Sequence, residues 1–260
     1  MDFTVKKYIN LLDSLISAGY NFQTFEEFLK KPQNKAVVLR HDVDLMPENS
    51  LAFARIQNKK GVKGVYYFRA VKESWSEKII KEIHNLGHEV GYHYENMTVF
   101  KGNYEKSIMD FNDNLEKLRK LTPVTTICMH GSPMSKYDSK DMWKKYKYSD
   151  FGIIGEPYFD VNFNKIFYIT DTGRRWDGDR VSVRDKVETI YTFSFSKTDE
   201  IITEANNNNL PDQIMFTFHP QRWNDNLVKW SKELVLQNLK NVIKRILYVK
   251  KQQTFLKTIL

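Results

Sequence analysis

Apolar positions along this chain follow two periods. Segments with apolar side chains three and four apart, the spacing of one helix face, alternate with short, nearly continuous apolar runs typical of strands buried on both sides. Val5, Tyr8, Ile9, Leu12, Leu15 and Ile16 predict a helix over residues 4–18, stopped by Gly19. Thr24-Phe25-Glu26-Glu27 opens like a capping box and predicts a short second helix closed near Pro32. Strands are predicted over residues 36–44, 64–69, 88–93, 124–129, 151–154, 165–170 and 213–218. Helices are predicted between them over residues 48–60, 76–86, 104–121, 138–146 and 198–206, and a long final helix over residues 225–255.

Strand followed by helix, repeated, implies crossover units and a parallel sheet. About seven strands in 260 residues favour an α/β distorted (β/α)7-type barrel over an open doubly wound sheet. A single domain over residues 1–260 is expected, with 1–34 as an N-terminal helical extension and 225–260 as a long basic C-terminal helix. No internal repeat or dividing linker is visible. The first long strand is not followed by a glycine-rich phosphate loop, so nothing points to a dinucleotide.

The chemistry sits at the strand ends. Ala36-Val37-Val38-Leu39-Arg40-His41-Asp42-Val43-Asp44 is an apolar run closing on two carboxylates. A side-chain period of two turns Asp42 and Asp44 to one face, with Arg40, and His41 to the other. Two adjacent carboxylates take a cation, or split into one protonated and one poised as a base. The plainer alternative is a polar turn in which Asp44 caps the helix starting near Pro47-Glu48. Four further runs end in His93, His130, Asp171 and His219. In a parallel barrel all of these reach one rim. His41, His84 and His88 read as structural or solvated.

Charge and compartment add less. Net charge is +8, spread over abundant lysine, and no recognition helix or stacking sheet supports a nucleic-acid partner. The last helix carries Lys229, Lys232, Lys240, Lys244, Arg245, Lys250, Lys251 and Lys257 against Glu233. Its apolar residues Leu227, Trp230, Leu234, Leu239, Ile243, Ile246 and Leu247 are expected to pack on the barrel, leaving a membrane-surface role as the minority reading. Cys128 is the single cysteine, inside a strand, so it reads as a buried small hydrophobe in a reducing compartment. Met1 to Lys7 lack a charged-then-apolar leader pattern, and no apolar stretch is long enough to span a bilayer, so a cytoplasmic protein is expected.

Arg40-His41-Asp42-Val43-Asp44, Gly87-His88-Glu89-Val90-Gly91-Tyr92-His93 and His219-Pro220, set between about residues 35 and 222, resemble the motifs of the polysaccharide deacetylases with a nodulation-protein-type (NodB) domain. The resemblance implies a distorted barrel that removes acetyl groups from N-acetylated sugars with a divalent metal, commonly zinc. It implies Asp42 as catalytic base, Asp44 and His93 as metal ligands, and His219 as proton donor to the leaving amine, held or tuned by Asp171. The family's second metal histidine falls at Met97 here, and a thioether is a poor ligand for such an ion. The family's arginine-proline motif is replaced by His130-Gly131-Ser132-Pro133, so either the third ligand comes from His130 or Glu95, or the metal is weakly held or absent.

Arg174, Arg175 and Trp176, with Arg222 and Trp223, form two arginine-tryptophan sets after strands. Such sets stack on sugar faces and grip anions, which suits an anionic or phosphate-linked sugar; the alternative is surface arginine over packed tryptophan. Together with Glu95 and Asp171 they are the expected substrate contacts. The expected function is acyl removal from an N-acylated sugar in bacterial surface-polysaccharide biosynthesis, acting on a cytosolic precursor. A non-catalytic carbohydrate-binding or scaffold relic is the alternative.

Overall fold

The computed structural model describes residues 1–132, 134–176 and 187–259. Helix α1 (Val5–Ser17) is capped by the Thr4 hydroxyl, which accepts the Lys7 N–H, and leads into strand β1 (Asn21–Gln23). Helix α2 (Phe25–Lys30) carries the expected capping box of Thr24 and Glu27. Then follow β2 (Ala36–Val43), α3 (Pro47–Lys59), β3 (Val65–Phe68), α4 (Glu77–Asn85), β4 (Glu89–Tyr94), α5 (Asn96–Val99), α6 (Tyr104–Arg119) and β5 (Ile127–Met129). The second half holds α7 (Pro157–Asp160), β6 (Phe167–Thr170), α8 (Thr198–Asn206), β7 (Gln213–Phe218) and α9 (Leu227–Ile259).

All ladders are parallel, and the hydrogen-bonded order is β5-β4-β3-β2-β7-β6. This is the cyclic order of a barrel opened between β5 and β6. Each strand from β2 to β5 lies beside its successor, and β7 returns to β2. A doubly wound sheet would instead reverse direction at an inner strand. The fold is therefore the expected distorted barrel. Strand β1 pairs the first half of β2, from Asn21↔Ala36 to Gln23↔Val38, and β3 takes over from Arg40↔Val65 onward.

The strand expected over residues 151–154 is not formed. Tyr148–Phe151 is a turn of 3-10 helix, and Gly152 reverses the chain at φ 68°. What remains is one bridge, Thr126↔Gly155, at the edge of the opening. Among the described residues the seventh strand is instead β1, from the segment read as purely helical. It was too short to show a period. The predicted helix over 138–146 is a 3-10 segment, Ser139–Lys144.

Alternation sorts the side chains. Ala36, Val38, Val65, Tyr67, Cys128 and Met215 face the barrel interior, joined by Phe25 and Phe28 from α2. Val37, Leu39, Tyr66, Phe68, Tyr92, Phe216 and Phe218 face outward into the larger core beneath the helices, where Tyr8, Leu11, Leu12 and Leu15 of α1 are buried too. Gly91 is needed inside: a Cβ there would lie 2.3 Å from the Tyr67 ring. Helix α9 departs from expectation. Its body side carries half-buried Trp230 and Leu234 with buried Gln237 and Asn241, whereas Leu227, Leu239 and Ile243 are exposed. The surface it meets presents backbone carbonyls and the Arg174 guanidinium, which lies over the Trp230 ring. The Trp230 indole donates to the Asp2 carbonyl (2.7 Å) and Asn241 to the Gly173 carbonyl (3.0 Å), so donors replace aliphatic side chains there.

Glu89 is buried inside the barrel. It accepts the Glu26 backbone N–H at 2.8 Å and the Thr126 hydroxyl. Burial, the dominant effect, pushes its carboxyl up to about 7. The unfolded carboxyl loses its proton near 4.5, so this group lowers stability as pH rises through that window, with the full cost present above 7. Glu89→Gln should therefore be more stable than the parent by up to about 3 kcal/mol at pH 8, and the advantage should vanish at pH 4. Urea unfolding at the two pH values measures this; equal stability at pH 8 would show that the carboxyl carries no such cost.

Candidate active site

The carboxyl ends of β2, β4, β5 and β7 deliver Asp42, Asp44, His93, His130 and His219 to one rim. Asp44 Oδ1 lies 3.1 Å from His130 Nδ1 and 3.6 Å from His93 Nε2, and those two nitrogens are 3.3 Å apart. Asp44 Oδ2 lies 3.8 Å from His219 Nε2 and accepts the Gln221 amide at 3.3 Å. Asp42 Oδ2 is 3.7 Å from His93 Nε2.

His93 Nδ1 sits 2.9 Å from the Cys128 carbonyl, which can only accept, so Nδ1 carries the hydrogen and the Nε2 lone pair faces the cluster. Burial keeps this ring neutral, lowering it to about 4. Burial alone would raise Asp44, but His130, then His219 and His93, hold it well below the usual carboxylate range. Asp44 Oδ1 is buried without a hydrogen bond of good geometry. One carboxylate oxygen and two imidazole nitrogens thus converge on a shared volume, a donor set that suits a divalent ion of zinc type.

Asp42 has a different partner. Arg40, two residues earlier on the same strand face, donates from Nε (2.8 Å) and Nη2 (2.7 Å) to its two oxygens. Both side chains are buried. Burial, which raises the carboxyl, is outweighed by the guanidinium and then His93, leaving Asp42 at about 2. The other face of Arg40 meets the Tyr158 ring, 5.2 Å to its centre.

Asp171 is fully buried and holds His219. Its Oδ1 is 2.6 Å from His219 Nδ1, and its Oδ2 accepts the His219 backbone N–H (2.9 Å) and the Trp223 indole (2.7 Å). Arg222 Nη1 donates to Oδ1 at 3.0 Å. Burial would raise this carboxyl, yet His219 and Arg222 bring it below its ordinary value. With Nδ1 occupied, His219 presents Nε2 to Asp44.

Other expected contacts lie elsewhere. Arg222 is buried against Asp171 rather than open to an anion. Trp176 is buried among Phe3, Phe216, Phe218 and Trp223 and donates to the Thr198 hydroxyl. Arg174 is buried between the Phe3 and Trp230 rings and donates to the Trp230 carbonyl at 2.9 Å. The cause is the turn after Asp171, where Gly173 (φ 78°) and Arg174 (φ 57°) swing the chain behind the rim. The rest of that loop from residue 177, and Pro133, lie outside the described residues. Glu95 is gripped by Arg69 in a fork of two 2.9 Å bonds and stays 3.9 Å from His130 Nε2, behind the cluster. Met97 is buried in the outer hydrophobic core. His41 and His88 are structural: their rings meet the Val65 and Ala54 carbonyls.

Sequence reasoning missed Arg69, Gln221 and Tyr158. Arg69 closes an apolar run just as His93 does, so the same rule would have found it. Tyr158 and Gln221 come from short helical turns with no period to read.

What these residues define is a parallel barrel with an aspartate-histidine cluster at its rim. No protein-family model matches the chain, and no curated protein matches it. Solved structures do match. One is a CE4 family pseudoenzyme from Bacillus anthracis: 15% identity, 82% of this chain and 63% of that chain covered, TM-score 0.41. Another is a peptidoglycan N-acetylglucosamine deacetylase: 15% identity, coverage 84% and 85%, TM-score 0.42. A third is the peptidoglycan deacetylase PdaC from Bacillus subtilis: 14% identity, coverage 82% and 97%, TM-score 0.38. The chain spans under two thirds of the pseudoenzyme's length. At such identities and TM-scores, the chemistry must be read from the site's own residues.

Arg40→Met leaves a buried, uncompensated Asp42 charge and should cost about 3–5 kcal/mol in urea unfolding. Arg40→Met with Asp42→Asn should recover most of that loss. A double variant no more stable than the single one would show that the pair is not the source of the cost.

Proposed function

We propose that this chain is a metal-dependent hydrolase that removes an acetyl group from an N-acylated sugar. The observation that carries the reading is the convergence of Asp44, His93 and His130 beside Asp42 and the His219–Asp171 pair. The substrate class rests on the motif resemblance, which also suggests bacterial surface-polysaccharide synthesis as the setting.

Asp44, His93 and His130 would hold the ion, zinc by donor type, with His130 in place of the family's second histidine. When bound, such an ion polarises an acetyl carbonyl and acidifies a water. Asp42, kept ionised by Arg40, orients the attacking water and takes its proton. His219 gives its Nε2 proton to the departing nitrogen, while Asp171, 2.6 Å from Nδ1, fixes the orientation of the ring. Glu95, through its Arg69 fork, backs His130.

One feature favours the relic reading. Both Asp42 oxygens are taken by Arg40, and a carboxyl near 2 is a weak base. Two measurements separate the readings. Purified protein supplied with zinc should carry about one equivalent, lost in Asp44→Ala and His93→Ala. Acetate release from N-acetylglucosamine oligomers should fall ~100- to ~10,000-fold in His219→Ala or Asp42→Asn. Stoichiometric ion without acetate release would favour a sugar-binding relic, and no ion in the parent protein would end the proposal. Met97→His should add no zinc affinity, because position 97 packs in the core, and should destabilise the fold by about 1–3 kcal/mol.

A further inference from the structure

Helix α9 is mounted the wrong way round for a helix that only covers its own barrel. Its polar residues Gln237 and Asn241 are buried on the body, and Asn241 donates to the Gly173 carbonyl. Apart from half-buried Leu234, its branched aliphatic residues between 227 and 243 face outward: Val228 is 77% exposed, Val235 66%, Leu239 58% and Val242 51%. At 100° per residue these four fall within about 60° of one another, and they run along about 20 Å of helix. Leu236 and Ile243, also exposed, widen the stripe on one side. Scattered surface aliphatics need no explanation, but a continuous stripe on one helix face does.

Charge says what covers it. Lys229, Lys232 and Lys240 are exposed on the same helix. Between residues 227 and 243 the only acidic side chain is Glu233, which is half-buried on the body side. A second copy laid on this stripe would bring lysine against lysine. A bilayer carrying anionic lipid satisfies both halves of the pattern: the aliphatic stripe enters the acyl boundary, and the lysines extend their stems to lipid phosphates. Among the described residues no helix is long and apolar enough to cross a membrane, so the helix would lie along the surface.

We infer that the outward face of α9 docks this protein on a membrane surface bearing anionic lipid. This is independent of the proposed hydrolysis. The test is co-sedimentation of the full chain with phosphatidylglycerol-containing vesicles and with pure phosphatidylcholine vesicles. The full chain should bind the anionic vesicles far better, and added salt should weaken the binding. Each of Lys229→Gln, Lys232→Gln and Lys240→Gln should lower the partition about five-fold. Val235→Gln with Leu239→Gln should abolish binding although every lysine remains. Those two side chains are exposed, so thermal unfolding and zinc content should match the parent, which separates lost docking from lost folding. Three results would overturn the inference. The parent protein could ignore anionic vesicles. The Val235/Leu239 double variant could bind as well as the parent, assigning the attraction to the overall +8 charge. Sedimentation could show an oligomer that the double variant dissolves, which would make the stripe a contact between copies.

Discussion

Everything at the rim depends on keeping two adjacent carboxylates ionised where water is largely excluded. The strand period sends Asp42 and Asp44 to the same side, and a buried carboxylate needs a compensating charge. The fold supplies two different ones. Arg40, on the same face of β2, clamps Asp42 with both arms of its fork. Asp44, beyond the strand end, meets imidazoles from β4, β5 and β7, with the neutral Gln221 amide beside them. The two acids are thereby set apart: one is locked to a permanent cation, the other faces groups that can exchange a proton for a metal ion. A bound divalent ion and a proton would neutralise Asp44 in the same way.

The barrel is what lets three distant strands meet there. Parallel pairing in cyclic order places every carboxyl end on one side, and β5 and β6 end the hydrogen-bonded order. The opposite end is closed by Phe25 and Phe28, with Tyr67 filling the space that Gly91 leaves. Apart from Glu89 at the start of β4, whose carboxyl burial pushes up to about 7, the interior grades from aliphatic and aromatic packing near the strand starts to buried charge at their ends. That gradient explains why His93 stays neutral and why Asp171 needs four donors to remain an anion.

The same principle accounts for the sites where expectation and structure part. Arg174, Trp176 and Arg222 follow strands, which marks them as rim residues if the chain runs straight on. Two left-handed residues, Gly173 and Arg174, turn it behind the rim instead, and the arginine and tryptophan side chains go to an aromatic core and a buried carboxylate. In α9, periodicity finds an apolar stripe but cannot say what it meets. The body offers carbonyl oxygens at Asp2 and Gly173, so the side of the helix that carries donors, Trp230, Gln237 and Asn241, turns inward with Leu234.

Local pattern alone determined a good deal: the alternation of strands and helices, the capping of α1 and α2, the inward face shared by Arg40, Asp42 and the barrel interior, and the arrival of His93, His130 and His219 at strand ends. These follow from backbone geometry and periods of two and 3.6, which any stretch of sequence carries within itself. Tertiary structure decided the rest. It chose His130 over Glu95 as neighbour of Asp44, because Arg69 had already claimed Glu95. It buried Met97 in the core, made a strand of residues 21–23 and reduced residues 151–154 to the approach to a single bridge. Each of those outcomes hinges on which surface lies opposite a residue, and opposition between segments far apart in the chain leaves no periodic trace.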